Sequence, residues 1–212
     1  MPYFKYASLV PVILALLVGA VYFKRLEPAL RYLASLIFFE AFVEILSRAL
    51  GAQHKSNLFL FPIDTLVEFG LLAWMYRTVL RPSAVSRWLP VVVVLFSLVS
   101  LYSYIEPENL FRFNTVQRFA ESFLVLALVL LYFYKIIRDL VIINLEREPM
   151  FWVSVGLLLY FSGNVFIFVS SNYVIQRSTT LSQKLWNIHA LLYMVLYGLY
   201  TWALWISQSN RK

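Results

Sequence analysis

The sequence predicts an all-α membrane protein, a bundle of seven transmembrane helices. Hydrophobic residues make up 61% of the 212 residues and charged residues only 14%, which is unlike a soluble domain. Seven apolar segments each approach the roughly 20 residues that a helix needs to cross a bilayer core of about 30 Å. The connections between them are short, so residues 1–212 are expected to form a single seven-helix transmembrane domain.

The predicted spans are separated by charged residues or by connections that contain Pro, Gly or Asn. In order they run over Ser8–Phe23, Ala29–Leu50, Leu58–Leu80, Trp88–Ile105, Val116–Ile137, Phe151–Ser171 and Leu185–Ser207. The first span resembles a signal peptide in length, but Lys24 and Arg25 follow it directly. Because a signal peptide carries its positive charge before the apolar stretch, this segment is expected to remain as a helix.

Basic residues are unevenly divided between the two sides of the predicted bundle. The side of the N-terminus carries seven: Lys5, Arg48, Lys55, Arg112, Arg118, Arg177 and Lys184. The other side carries eleven: Lys24, Arg25, Arg31, Arg77, Arg81, Arg87, Lys135, Arg138, Arg147, Arg211 and Lys212. The positive-inside rule then predicts that the N-terminus lies outside and the C-terminus in the cytoplasm of a multi-pass membrane protein.

Composition excludes several kinds of protein. The absence of Cys excludes a disulfide scaffold and a cysteine-ligated metal or iron–sulfur centre. The basic residues form no run or stripe, so no nucleic-acid partner is expected. The seventh span has no interior Lys, since Lys184 lies at its mouth, and therefore no retinal Schiff base is expected. No cofactor is predicted with certainty, and a bound cation is the one candidate.

Acidic residues inside the spans are the main functional signal. Five of the eleven acids fall within predicted helices: Glu40, Glu44, Asp64, Glu68 and Glu121. A charge at a helix centre costs roughly 2.5–3.5 kcal/mol on insertion, so such residues normally face the interior of a bundle. The first two acids and the next two are each spaced i, i+4, which places each pair on one helix face.

The depth of these residues predicts a shared site. With a rise of about 1.5 Å per residue, Glu44, Asp64 and Glu121 each lie about 8–9 Å below the outer end of their helix. Asn164 and His189 also fall in the outer half, whereas Glu40 and Glu68 lie nearer the midplane. The predicted ligand-binding residues of a polar, outward-opening cavity are therefore Glu40, Glu44, Asp64, Glu68, Glu121, Asn164 and His189.

Each member of this set also has a purely structural interpretation. Glu44 is one turn from Arg48 and Glu121 is three residues from Arg118, so either acid is suited to a structural ion pair. Such a pair would satisfy the charge without any ligand.

The two neutral candidates have structural alternatives as well. Asn164 follows Ser-Gly and is suited to an interhelical hydrogen bond beside a contact of small residues. His189 begins a stripe with Tyr193 and Tyr197 at successive i+4 positions, which packing alone would explain.

Three classes of function follow from the acids, which cannot all be ionised in an apolar interior without sharing protons or binding a cation. The leading hypothesis is a receptor-like sensor that binds a small ligand or ion and acts on a separate cytoplasmic signalling partner. The second is a small proton- or cation-coupled transporter. The third is a metal-dependent intramembrane lipid hydrolase, with Asp64, Glu121 and His189 as metal ligands and no catalytic residue identified.

Known seven-helix families fit these alternatives only in part. Hydrolases resembling the ceramidase or adiponectin-receptor group are expected to use several histidines on zinc, and this chain has only His54 and His189. Seven helices permit a 3+1+3 arrangement similar to sugar transporters of the SWEET type, with Phe39–Ile45 laid against Phe161–Ile167. The Pro-Gln dipeptide that marks their relatives is absent.

Four strings carry a further resemblance: Asn57–Leu60, Asp64–Phe69, Tyr160–Gly163 and Leu185–His189. They are similar to those of a family of small seven-helix bacterial membrane proteins of unassigned activity. The resemblance covers the third, sixth and seventh spans and implies a location in the bacterial inner membrane. It marks the same polar residues and implies no reaction.

Overall fold

A computed structural model shows that the described part of the chain is helical. It describes residues 9–102, 115–139, 144–175 and 179–209, with side chains for 9–101, 116–139, 144–167 and 183–208. Seven α-helices lie in these ranges: α1 Leu9–Tyr22, α2 Pro28–Ala52, α3 Leu60–Val79, α4 Ala84–Tyr102, α5 Thr115–Asp139, α6 Pro149–Ile175 and α7 Thr179–Ser209. Short 3-10 turns follow α1 and precede α6. Among the residues named above, Ser8, Ile105, Lys5, Arg112, Arg177, Arg211 and Lys212 lie outside the described ranges.

Each predicted span coincides with one of these helices. Four helices contain stretches long and apolar enough to cross a membrane: Ala84–Leu101, Val116–Asp139, Pro149–Ile167 and Gln183–Gln208. The crossing of a membrane by α1, α2 and α3 stays a prediction, as does the orientation. α1 is only 14 residues long, and α2 and α3 carry charged residues along their apolar stretches.

The chain divides into two compact units. One, here called the central unit, is Glu27–Glu121, and it contains α2, α3, α4 and the first turns of α5. The other, the terminal unit, consists of Met1–Leu26 and Ser122–Lys212 and contains α1, the rest of α5, α6 and α7.

In the central unit, α3 packs against both α2 and α4. Pro28 opens α2, where its missing N–H would have had no helical partner. The same helix ends in a Schellman motif, in which Lys55 N–H donates to Leu50 O and His54 N–H donates to Gly51 O. His54 there has φ 57°, a left-handed conformation that glycine usually supplies.

Side chains of α3 form the middle of this unit's core. Phe69 contacts Phe96 of α4 with 4.7 Å between ring centroids, and Leu72 and Met75 are buried nearby along the same helix. The acids of α3 lie in its N-terminal half, beside this apolar core.

In the terminal unit, α7 packs against α6 and α1. At the contact with α6, the side chain of Leu192 packs over Gly163, where a Cβ would displace it. Gly163 directly precedes Asn164, so the same level of α6 carries a polar side chain towards α7.

Candidate functional site: an arginine shared by buried carboxylates

The guanidinium of Arg118 lies among three carboxyl groups of the central unit. Its Nη2 is 2.5 Å from Asp64 Oδ2, and its Nη1 is 2.8 Å from Glu68 Oε2 and 3.1 Å from Glu121 Oε2. The side chain of Arg118 is only 14% exposed. These are charge-assisted hydrogen bonds in a poorly solvated place, where such bonds are at their strongest.

Three helices supply the members of this cluster. Asp64 and Glu68 lie one turn apart on α3, Arg118 and Glu121 lie one turn apart at the start of α5, and Glu40 comes from α2. The side chains of Asp64 and Glu68 are 12% and 11% exposed, and that of Glu121 is fully buried. We call these five residues the Arg118 cluster.

Neighbouring contacts tie α5 to α3 at this level. Gln117 Nε2 donates to the backbone carbonyl of Pro62 at 3.2 Å, and both residues are buried or nearly so. Pro62 lies in the first turn of α3, where its missing N–H leaves no helical hydrogen bond unmade. The ring of Phe61 lies 6.0 Å from Cζ of Arg118 and covers the guanidinium with a weak cation–π contact.

Glu40 brings a further carboxyl group to the cluster without adding a cation. One carboxyl oxygen from each of Glu40, Asp64 and Glu68 lies within 4.8 Å of the others. Three buried oxygens have no hydrogen-bond partner among the described residues: Glu40 Oε1, Asp64 Oδ1 and Glu121 Oε1.

The charge of the Arg118 cluster is unbalanced. Four carboxylates and one guanidinium sum to −3 when all are ionised, and burial makes such an excess costly. The cluster therefore has the chemistry of a site that takes up positive charge, either as protons or as a bound cation. Its ligand atoms within reach of one another are all oxygens, which suits hard cations better than soft ones.

The sequence-based set is only partly brought together. Glu40, Asp64, Glu68 and Glu121 lie in the Arg118 cluster. Glu44, which shares a helix face with Glu40 by spacing, instead forms an ion pair with Arg48 at 2.5 Å along the same helix. Its side chain is 44% exposed, so this acid is solvated or interfacial in character and not part of the buried cluster.

Asn164 and His189 lie in the terminal unit and contact each other. His189 Nδ1 is 2.8 Å from Asn164 Oδ1, which joins α6 to α7. Since an amide oxygen only accepts, this geometry requires the Nδ1–H tautomer or the charged imidazolium. This is the interhelical hydrogen bond that the sequence offered as the structural interpretation of Asn164. A common site with Asp64 stays a prediction, because Asp64 belongs to the other unit.

Aromatic rings surround the imidazole of His189. The rings of Trp186, Tyr160 and Tyr193 have centroids 5.6, 5.9 and 6.4 Å from it, and Tyr193 continues into a contact with Tyr197 at 4.5 Å. The stripe of tyrosines predicted from the i+4 spacing is thus a packed row along α7.

Arg118 is the member of the site that the sequence interpretation did not select. By sequence its charge counts only toward the side of the N-terminus, and it lies in the first turn of both the predicted span Val116–Ile137 and α5. The signal was the i, i+3 spacing to Glu121, which predicted one ion pair but not the two further pairs with α3. Oxygens of Glu40, Asp64 and Glu68 lie within 4.8 Å of one another. The metal set of Asp64, Glu121 and His189 stays a prediction.

Comparisons of the chain with protein-family models, with curated proteins and with solved structures found no match. The resemblance to a bacterial membrane family in the third, sixth and seventh helices therefore stays a prediction.

Proposed function

We propose that the chain is a multi-pass bacterial inner-membrane protein that binds a cation at the Arg118 cluster and acts as a receptor-like sensor. Its N-terminus lies outside and its C-terminus in the cytoplasm, where a separate signalling protein reads the bound state. The cation enters from the outer side. The observation that carries this proposal is a single guanidinium shared by three buried carboxylates, with Glu40 as a fourth acid close by.

A membrane location is supported by the surfaces of the helices. Along α4, large apolar side chains from Trp88 to Leu101 are exposed, and α1 and α5 also expose long apolar faces. Exposing so much apolar surface to water is unfavourable, and soluble proteins rarely have contiguous apolar patches of this size. Contact with lipid tails removes that cost.

Cation binding is supported by the uncompensated charge. An added cation would relieve the repulsion between carboxylates that Arg118 neutralises only in part. The relief is felt between helices, because Glu40 lies on α2 and the other acids lie on α3 and α5. A ligand that changes the interaction between helices favours one arrangement of those helices over another, which is the requirement for a sensor.

The proposal is tested by the thermal stability of the purified protein in lipid nanodiscs with a zwitterionic headgroup. Chloride salts of Na⁺, K⁺, Ca²⁺, Mn²⁺ and tetramethylammonium are compared at constant ionic strength. A cation that binds the native state raises the unfolding temperature in a saturable manner, by the equivalent of about 2.7 kcal/mol at one hundred times its dissociation constant.

Glu40→Gln and Glu44→Gln form the matched pair of variants, since they make the same change one turn apart on α2. Glu40→Gln should abolish the cation-dependent stabilisation, and Glu44→Gln should retain it. Equal stabilisation of both variants, or no saturable stabilisation by any of the cations, would refute the proposed site. Passage of the bound cation across a liposome membrane would favour the transporter hypothesis over the sensor hypothesis.

A further inference from the structure

The carboxyl groups of the Arg118 cluster use their two oxygens differently. Arg118 occupies one oxygen each of Asp64, Glu68 and Glu121, in every case the atom designated δ2 or ε2. Asp64 is 8% exposed and Glu121 is fully buried. The second carboxylate oxygen of each has no hydrogen-bond partner among the described residues. A buried carboxylate oxygen without a donor is costly, and a proton, a water molecule or a bound cation relieves that cost.

The distances between carboxylate oxygens of three acids indicate the size of a cation that could bind there. Oxygens of Glu40, Asp64 and Glu68 lie within 4.8 Å of one another. Two ligands on opposite sides of a Ca²⁺ ion are about 4.6–5.2 Å apart, twice the Ca²⁺–O distance. One ion of this size therefore reaches all three oxygens without a large movement of the backbone.

We propose that Glu40, Asp64 and Glu68 bind one divalent, oxygen-preferring metal ion of the kind represented by Ca²⁺ and Mn²⁺. This inference rests on the proposed function and names the class of cation that the cluster takes. Arg118 is a positioning residue, because it holds Asp64 and Glu68 by one carboxylate oxygen each.

Charge favours a divalent ion over a monovalent one. The ionised Arg118 cluster carries −3, so a divalent ion leaves −1 and an organic ammonium leaves −2. Ligand chemistry selects among the metals, since the three residues offer only carboxylate oxygens and neither thiolate nor imidazole. Carboxylates suit Ca²⁺, Mn²⁺ and Mg²⁺, and Mg²⁺ gives up its water reluctantly in favour of an all-protein site.

The positioning role follows from the geometry of guanidinium. Arg118 bonds two carboxylates of α3 through separate nitrogens, Nη2 to Asp64 and Nη1 to Glu68. A planar fork fixes the orientation of both carboxyl groups at once, which a lysine ammonium cannot do. Contacts that orient metal ligands from behind commonly change metal affinity by 10–100-fold when they are removed.

Calorimetric titration of the nanodisc-embedded protein with Ca²⁺, and separately with Mn²⁺, tests the proposal. One saturable site per chain is expected, with affinity at least tenfold lower in Glu40→Gln and in Asp64→Asn and unchanged in Glu44→Gln. Both neutralising variants should fold, since each removes part of an uncompensated negative charge, and helical circular dichroism verifies this. Equal Ca²⁺ affinity in Glu40→Gln and Glu44→Gln would overturn the metal site.

A parallel titration with tetramethylammonium distinguishes two questions: whether the cluster binds any cation, and whether that cation is a divalent metal. Binding of this ion that depends on Glu40, without binding of either metal, would overturn the present inference and leave cation binding at the cluster intact. Absence of both would overturn the proposed function as well.

Arg118 is tested by the electron paramagnetic resonance spectrum of bound Mn²⁺, which reports the arrangement of its ligands. Arg118→Lys keeps the charge but loses the fork, so we expect lower Mn²⁺ affinity and an altered line shape. An unchanged spectrum and affinity in Arg118→Lys would show that the guanidinium does not position the ligands.

Discussion

Replacement of Arg118 by Met tests the central feature of the structure, a buried cation that holds three acids. Methionine keeps much of the length and apolar volume of the side chain while it removes the charge and all donors. Asp64, Glu68 and Glu121 then lose contacts of 2.5, 2.8 and 3.1 Å at once. Their mutual repulsion is no longer screened by any described cation of the cluster.

The expected magnitude follows from burial. Loss of one partner of a buried ion pair destabilises a protein by about 3–5 kcal/mol, because the remaining charge is left without compensation. For a chain of this length that corresponds to a fall in unfolding temperature of about 6–20 °C. The fall is measured by thermal unfolding in a mild detergent, followed by helical circular dichroism.

The matched control is Arg138→Met, the same change on the same helix. Arg138 also contacts an acid, Asp139, at 2.9 Å, but its side chain is 65% exposed. Solvent screens such a pair, so we expect no measurable change in unfolding temperature. A second variant, Arg118→Met combined with Asp64→Asn, removes one of the stranded charges and should recover part of the lost stability.

Two results would refute the reasoning. Equal unfolding temperatures for Arg118→Met and Arg138→Met would show that the guanidinium does not compensate buried charge. A double variant less stable than Arg118→Met alone would show that repulsion among the acids is not what destabilises the single variant.

Three further predictions concern other parts of the chain. A topology reporter fused after Lys212 should show cytoplasmic activity, since the basic residues favour that side by eleven to seven; periplasmic activity would contradict the orientation. Asn164→Leu removes the acceptor for His189 Nδ1 and should lower the free energy of unfolding in detergent by about 1–2 kcal/mol; unchanged stability would show that this bond contributes nothing. Glu44→Gln breaks the exposed pair with Arg48 and should cost less than about 1 kcal/mol in the same measurement, whereas a larger loss would place Glu44 in a buried network.

The helices themselves were predictable from the sequence, because length and hydropathy are local properties of the chain. The third predicted span, Leu58–Leu80, and α3, Leu60–Val79, agree within two residues. The largest difference is at α7, which begins at Thr179 and not at Leu185. Hydropathy marks the apolar part of a helix, and a helix that continues into polar residues is not detected by it.

The choice of partners for each acid was not predictable in the same way. Spacing along α2 places Glu40 and Glu44 on one face, yet Glu40 lies beside the acids of α3 and Glu44 pairs with Arg48. The i, i+4 spacing is compatible with both arrangements. Which partner each acid takes depends on the side chains that the neighbouring helix places at the same height.

By itself, the sequence determined that this protein consists of apolar helices and that five acids lie inside them. Those facts follow from composition and from the rise of a helix. Only the tertiary structure decided that Arg118 belongs to the site, because a basic residue in the first turn of a helix looks the same in sequence whether it faces water or a neighbouring helix. Contacts between the start of α5 and α3, among them the bond from Gln117 to Pro62, bring its guanidinium to Asp64 and Glu68, which lie 54 and 50 residues earlier in the chain.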